Sequence, residues 1–253
     1  MLPPKNIHQQ LDTSYTSGKI SRRLEDKAGS NYLKDFVYGA VDGGITTFAI
    51  VSGVAGAALA PKIVVIMGLA NLIADGFSMA VSNYLGSRTE TQLLEKTRAE
   101  EETYINIYPE EKKEEIRRIF AQKGFEGDML ERAVQIITSD KTLWVDTLLK
   151  EEYDLPASGM IPWKAATATF IAFLLIGFIP VFPFLWNFFS QYQLHNPFLW
   201  SSISTGCSFF AVGAIKSKFV SKPWYTSGLE TLILGGVAAA LAYLVGNFLK
   251  GIE

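Results

Sequence analysis

One cysteine and two histidines are all that the 253 residues supply of the commonest soft and imidazole ligands. A lone Cys207 excludes a disulfide framework within one chain. With His8 and His195 the only imidazoles, the chain has no Glu-x-x-His pair of the kind that builds a ferroxidase-type two-metal centre. It also has no phosphate-cradling glycine loop, no nucleophile elbow, and no basic patch interleaved with aromatics. An enzyme and a nucleic-acid binder are therefore not expected, and neither is a tightly bound cofactor. Acid is scarce over a long stretch as well: between residues 156 and 249, Glu230 is the only Asp or Glu. The first thirty or so residues are polar and lack the short apolar core of a secretory signal, so no cleaved signal peptide is expected.

Long apolar runs are what the chain has in quantity. Five stretches, approximately 36–58, 62–86, 164–187, 197–219 and 228–249, reach the roughly 20 residues that a membrane-crossing helix needs. Several exceed the length of a buried core helix, which sets aside a soluble all-helical protein. The first two are joined by the short turn ALAPK, and Pro180 and Pro183 in the third should kink it. Lys19, Arg22, Arg23, Lys27 and Lys34 precede the first span, and Lys216, Lys218 and Lys222 lie between the fourth and fifth. The opposite loops hold Lys62 and, in SQYQLHN, no Lys or Arg at all. This asymmetry predicts a cytosolic N-terminus.

The charges are concentrated in between. Residues 88–155 carry 17 of the 25 acidic side chains, so the chain reads as apolar flanks around an acidic insert. The expected organisation is a polar N-terminal segment 1–34, spans one and two over 35–87, a cytosolic helical insert 88–155, and spans three to five over 156–253. Residues 84–105 should continue span two without a break. Pro109 opens a helix with Glu110 and Glu111 in its first turn, and Gly124 stops it. Helices over 126–138 and 141–153 follow, the latter with Ser139 and Asp140 as cap candidates.

Polar side chains inside the apolar runs are the candidates for chemistry. An ionised carboxylate in hydrocarbon costs about 2.5–3.5 kcal/mol even on the lenient insertion scale. Asp35 and Asp42 nevertheless lie seven apart on one face of span one. Asp42 is read either as part of an ion path or as a carboxylate satisfied by neighbouring hydroxyls; Asp35 either guides ions or caps the helix. Gly39, Gly43, Gly44, Gly53 and Gly56 leave one side of that span nearly bare, suited to close helix packing or to a lining beside Asp42. In span two, Asn71, Asp75, Met79 and Asn83 recur every fourth residue and drift slowly around one face. A carboxylate oxygen suits many divalent ions, and a thioether biases a site toward softer transition metals. In the insert, Glu100, Glu101 and Glu102, then Glu110, Glu111, Glu114 and Glu115, then Glu151 and Glu152 offer oxygen ligands, or simply solvated helix faces among Lys and Arg.

The succession DFVYGAVDGGITTFAIVSGVAGA, GLANLIADGFSMAVSNYLGSRTE, an acidic helical insert, and SGLETLILGGVAAALAYLVG resembles the vacuolar iron transporter family, from about residue 32 to 249. That resemblance implies an all-α membrane protein with five transmembrane helices and a cytosolic insert between spans two and three. It implies a homodimer that moves Fe²⁺, or Mn²⁺ and other divalent ions in some members, out of the cytosol in exchange for protons. The family's ion path runs between subunits near span one, and its insert binds metal through glutamates and methionines. The family aspartates of span one fall on Asp35 and Asp42, and its span-two methionine on Met79. Its acidic position two turns earlier is Asn71 here, with Asp75 one turn away as a substitute.

In the insert the correspondence is uneven. The first pair of family glutamates falls on Glu101 and Tyr104, the second on Lys112 and Glu115, and the methionine pair on Leu148 and Leu149, while Glu152 matches. Either Glu102, Glu111 and Glu114 take over, or the insert no longer captures iron. An ammonium repels cations and has no lone pair to give, so weak or absent Fe²⁺ binding by residues 88–155 is expected. Asp42 and Glu230 are the candidate proton carriers, with pairing to Lys222 the other reading of Glu230. The membrane would be a plasma or inner membrane in a prokaryote and a vacuole-type membrane in a eukaryote. Alternatives are a Mn²⁺ or broad-selectivity exporter, and a non-transporting membrane scaffold or metal sensor.

Overall fold

The computed structural model describes residues 32–156, 159–217 and 222–250. Lys19, Arg22, Arg23, Lys27, His8 and Lys218 lie outside the described residues. The described chain is helical throughout: α1 Leu33–Gly56, α2 Pro61–Ile107, α3 Pro109–Gln122, α4 Gly127–Thr138, α5 Lys141–Glu151, α6 Pro162–Phe189, α7 Pro197–Lys216 and α8 Trp224–Leu249. Five of these (α1, α2, α6, α7 and α8) are long and apolar enough to cross a membrane. Helix α2 has 47 residues and so runs about 70 Å, more than twice the hydrocarbon thickness of a bilayer. The chain divides into two compact units, an apolar one built from residues 32–87 and 162–250 and a charged one built from 88–161.

In the apolar unit, backbones meet where side chains are missing. A Cβ on Gly39 would lie 2.3 Å from the Thr169 carbonyl oxygen of α6, and one on Gly43 would lie 2.5 Å from that of Phe173. Farther along α1, a Cβ on Gly56 would fall 2.2 Å from the Tyr243 carbonyl of α8, and Gly246 returns the contact against Gly53. The bare side of α1 is therefore spent on packing within the chain. Bulk fills what remains: Phe48, Val51, Val54, Val64, Phe184, Phe209 and Ala239 form one buried cluster. Helix α2 joins this bundle through side chains, with Leu72 against Gly177 and Val181 against Gly68. Ser201 donates to the Pro180 carbonyl at 2.7 Å, tying α7 to the proline-bearing turn of α6.

Helix ends follow local chemistry. At the α1–α2 turn, Ala58 takes φ 55° while Ala58 N–H donates to Ala55 and Leu59 N–H to Val54. That is a Schellman closure with alanine in the left-handed place usually given to glycine. The same closure ends α3 at Gly124 (φ 89°), where the Phe125 ring packs edge-on against Phe120 at 5.4 Å. Asp140 caps α5 by accepting from Thr142 and Leu143.

The charged unit has its own core of Leu94, Ile105, Ile116, Val134, Ile137, Trp144, Val145, Leu148 and Leu149. Leu94, Thr97, Glu101 and Ile105 are the buried stripe of this end of α2, spaced three and four apart.

Gly43→Ala should lower the stability of the apolar unit by about 1–3 kcal/mol, since the atom in the way is backbone. Gly236→Ala, with nothing within 4 Å of the added methyl, should change it by less than about 0.5 kcal/mol. Thermal unfolding of the two variants in the same detergent compares them directly.

Candidate functional site

The polar residues of the first two spans are brought onto facing sides of α1 and α2. On α1, Thr46 donates to the Asp42 carbonyl at 2.9 Å, a bond to the preceding turn that also fixes its hydroxyl oxygen. That oxygen accepts from the Asn71 amide across on α2, at 3.5 Å. Asp75, one turn on from Asn71, stands close enough to Asp42 for their charges to repel. Met79, a further turn along the same stripe, is half-buried. Two carboxylates, an amide and a hydroxyl thus gather between the apolar parts of α1 and α2, with the Met79 thioether one turn on from Asp75 along α2. Carboxylate and amide oxygen with one soft sulfur is a donor set for a divalent transition-metal ion rather than for an alkali cation.

One turn beyond Met79, Asn83 has a different task. Its amide donates to Asp35 Oδ1 at 2.9 Å and to Thr169 Oγ1 at 2.7 Å, so one side chain holds α1, α2 and α6 together. The other Asp35 oxygen, Oδ2, is buried without a hydrogen-bond donor among the described residues. Asp35 is accordingly not a simple helix cap. Glu230 of α8 lies 3.3 Å from Lys222 and 3.9 Å from Lys216, so its charge is matched by two ammonium groups.

The charged unit assembles a separate cluster. Glu101, Glu115 and Glu152 each place a carboxylate oxygen within 4.8 Å of the others'. Glu101 is fully buried, and its Oε1 accepts from the Tyr153 hydroxyl at 3.0 Å. Its Oε2 is paired with the Lys112 ammonium at 2.8 Å. Lys112 also donates to Glu115 at 2.7 Å, and it lies 5.5 Å over the Tyr104 ring. Burial by itself would push the Lys112 pKa down; the bonds to Glu101 and Glu115 outweigh it and hold that pKa above the usual lysine range. Burial raises the Glu152 pKa, Lys112 works against it, and Glu115 and Glu101 add to it. Burial and the bond to Glu101 push Tyr153 up to about 12.

Glu102, Glu111 and Glu114 stand outside this cluster. Glu114 instead accepts from Arg117 and Arg118, and Arg117 also grips Glu131 through two nitrogens. Those guanidinium bonds hold the Glu114 and Glu131 carboxyls below the usual range. Leu148 and Leu149 are fully buried in the core of the unit. Tyr153 was not singled out by its sequence position. Glu101 had a signal, since it falls on the buried stripe with Leu94, Thr97 and Ile105.

Two comparisons bear on these residues. A family model described as the VIT family matches residues 33–247. A protein named vacuolar iron transporter from Plasmodium berghei is 32% identical over 226 residues, covering 87% of this chain and 83% of the relative. One of the same name from Plasmodium falciparum is 31% identical over 237 residues, covering 89% and 87%. Vacuolar iron transporter 1 of Arabidopsis thaliana is 26% identical over 221 residues, covering 86% of each chain.

Glu101→Ala leaves the Lys112 ammonium in a buried site with half its partners, and should destabilise the charged unit by roughly 3–5 kcal/mol. Arg117→Gln should lower stability at pH 7 by a smaller amount with a definite pH signature. Carboxylates whose folded pKa is depressed stabilise above the unfolded value and lose that contribution as pH falls through the folded one. The gap between the variant and the unmodified protein should therefore close below about pH 4, as followed by thermal unfolding.

Proposed function

The chain belongs to the VIT family, and from that membership we propose that it is a secondary transporter that moves divalent transition-metal ions, Fe²⁺ foremost, out of the cytosol in exchange for protons. The observation that carries the reading is the seam of Asp42, Asp75, Asn71, Thr46 and Met79 between α1 and α2. Apolar helices bear the cost of such a stripe when it serves an ion that crosses. Asp42 and Asp75 supply charge-matched oxygens, and Met79 adds a soft ligand that favours Fe²⁺ over Mg²⁺ or Ca²⁺. The names of the relatives point to iron.

Proton exchange follows from the same carboxylates. A carboxylate in an apolar span can be neutralised by a proton or by a metal cation, so the one displaces the other. Asp42 is the carrier in this reading, and Glu230 takes no part because Lys222 and Lys216 already balance it. Asp35, held by Asn83, marks the cytosolic mouth. The working unit is a homodimer. In the single chain, α2 leaves Ile66, Ile73 and Phe77 exposed, and a second copy would cover part of that apolar face.

Proteoliposomes loaded with an Fe²⁺ indicator and bearing an inward-acidic pH gradient test the proposal. The unmodified protein should accumulate Fe²⁺ and dissipate the gradient, and Asp42→Ala should abolish both. Met79→Leu, which keeps the volume and removes the sulfur, should slow Fe²⁺ uptake at least tenfold. A parallel run with Mn²⁺ ranks the two ions. Unchanged Fe²⁺ flux in Asp42→Ala would assign the path elsewhere, and no flux of either ion in any protein would favour a scaffold or sensor.

A further inference from the structure

Glu101 is fully buried, Glu115 partly exposed and Glu152 exposed, and their three carboxylates lie within 4.8 Å of one another. The buried Glu101 charge needs a counter-charge, and a proton, a metal ion or an organic cation in the middle of the three would supply it. Here the middle is taken. The Lys112 ammonium lies 2.8 Å from Glu101 and 2.7 Å from Glu115, and Glu152 is in electrostatic reach of it. Its own side chain is nine-tenths buried. Glu101, the fully buried member, has one oxygen bonded by Tyr153, and the other is balanced by Lys112 alone. The aromatic ring of Tyr104 lies beside the ammonium, and Leu148 and Leu149 add only apolar atoms to the buried core of the unit.

We propose that Lys112 is a tethered cation filling the carboxylate cluster of the charged unit, so that this unit is held together without a metal ion, and that removing its charge turns the cluster into a divalent-cation site. The proposal goes beyond the transport reading and stands whether or not the membrane seam conducts. Its geometric basis is size. Three oxygens about 2.1 Å from one ion stand roughly 3.0–3.6 Å apart, or about 4.2 Å for a trans pair, and the three carboxylate oxygens here lie within 4.8 Å of one another. Side-chain rotations that draw them in by about an ångström or two would seat the ion where the ammonium now sits. With the lysine in place, an incoming ion would meet a fixed positive charge at the same point and find both strong ligands engaged.

The test uses the full chain in detergent, Mn²⁺ as the probe, and the resonance signal of free Mn²⁺ to count bound ions. Four proteins are compared: unmodified, Glu115→Gln, Lys112→Gln, and the double variant Lys112→Gln/Glu115→Gln. The unmodified protein and Glu115→Gln should bind the same number of ions. Lys112→Gln should bind one more, and the double variant should hold that extra ion at least tenfold more weakly. Every readout is a difference between variants of the charged unit, so ions bound in the membrane seam cancel, and failure of the transport reading leaves the outcome interpretable. A loss of one bound ion in Glu115→Gln would show that the native cluster already holds metal, and would overturn the proposal. A folded Lys112→Gln protein with no additional ion would overturn it too. Should Lys112→Gln unfold more readily, millimolar Mn²⁺ should restore its unfolding temperature toward that of the unmodified protein. No recovery would count against the proposal.

Discussion

Helix α1 touches α6 and α8 backbone to backbone, and the placement of the polar seam depends on that contact. With carbonyl oxygens of Thr169, Phe173 and Tyr243 standing where side chains of α1 would otherwise be, α1 has little freedom to rotate or slide. Lipid offers no hydrophobic drive between apolar helices, so such close van der Waals approach has to supply the adhesion. Because one side of α1 is committed to glycine contacts, the Asp42 and Thr46 face is aimed at α2. Helix α2 meets the bundle through side chains rather than backbone, leaving room along the seam for polar groups. Where it is fastened most directly, the fastening is polar: Asn83 spans Asp35 and Thr169.

The charged unit obeys another logic. It is bound by an aliphatic and tryptophan core, with ion pairs on its surface from Arg117 and Lys113 that contribute little individually. At Glu101, the buried member of the cluster with Glu115 and Glu152, the low-dielectric interior makes charge balance decisive. Lys112 supplies that balance from the chain itself, and Tyr153 adds a hydrogen bond. In this chain of the VIT family, the unit thus sets a lysine among its three glutamates.

Helix boundaries were legible in the sequence because they depend on local chemistry. The long apolar runs, the unbroken passage from span two into the insert, Pro109, Gly124 and the Asp140 cap all fall where spacing and capping rules place them. Helix α6 runs on through both of its prolines, which membrane helices tolerate. Side-chain partners were less legible. Asn83 and Asp35 are 48 residues apart and meet only once α1 and α2 fold back through the Ala58 turn. Glu102, Glu111 and Glu114 looked interchangeable with their neighbours by composition. A step of one residue turns about 100° around a helix, so each points away from the cluster that Glu101, Lys112 and Glu115 share. The bare side of α1 allowed two readings from sequence, and only the positions of the carbonyls on α6 and α8 separate them.

The ammonium of Lys112 differs from a bound metal in where it comes from. A metal ion must be delivered, can be withdrawn by a chelator, and is shared with every other protein that competes for it. A lysine is made with the chain, one per copy, and its covalent tether gives it an effective concentration that no free ion matches. The charged unit can therefore complete its fold during synthesis in a cell starved of metal as readily as in one flooded with it. With the divalent-metal cargo proposed above, this separates the maturation of the carrier from the abundance of what it carries.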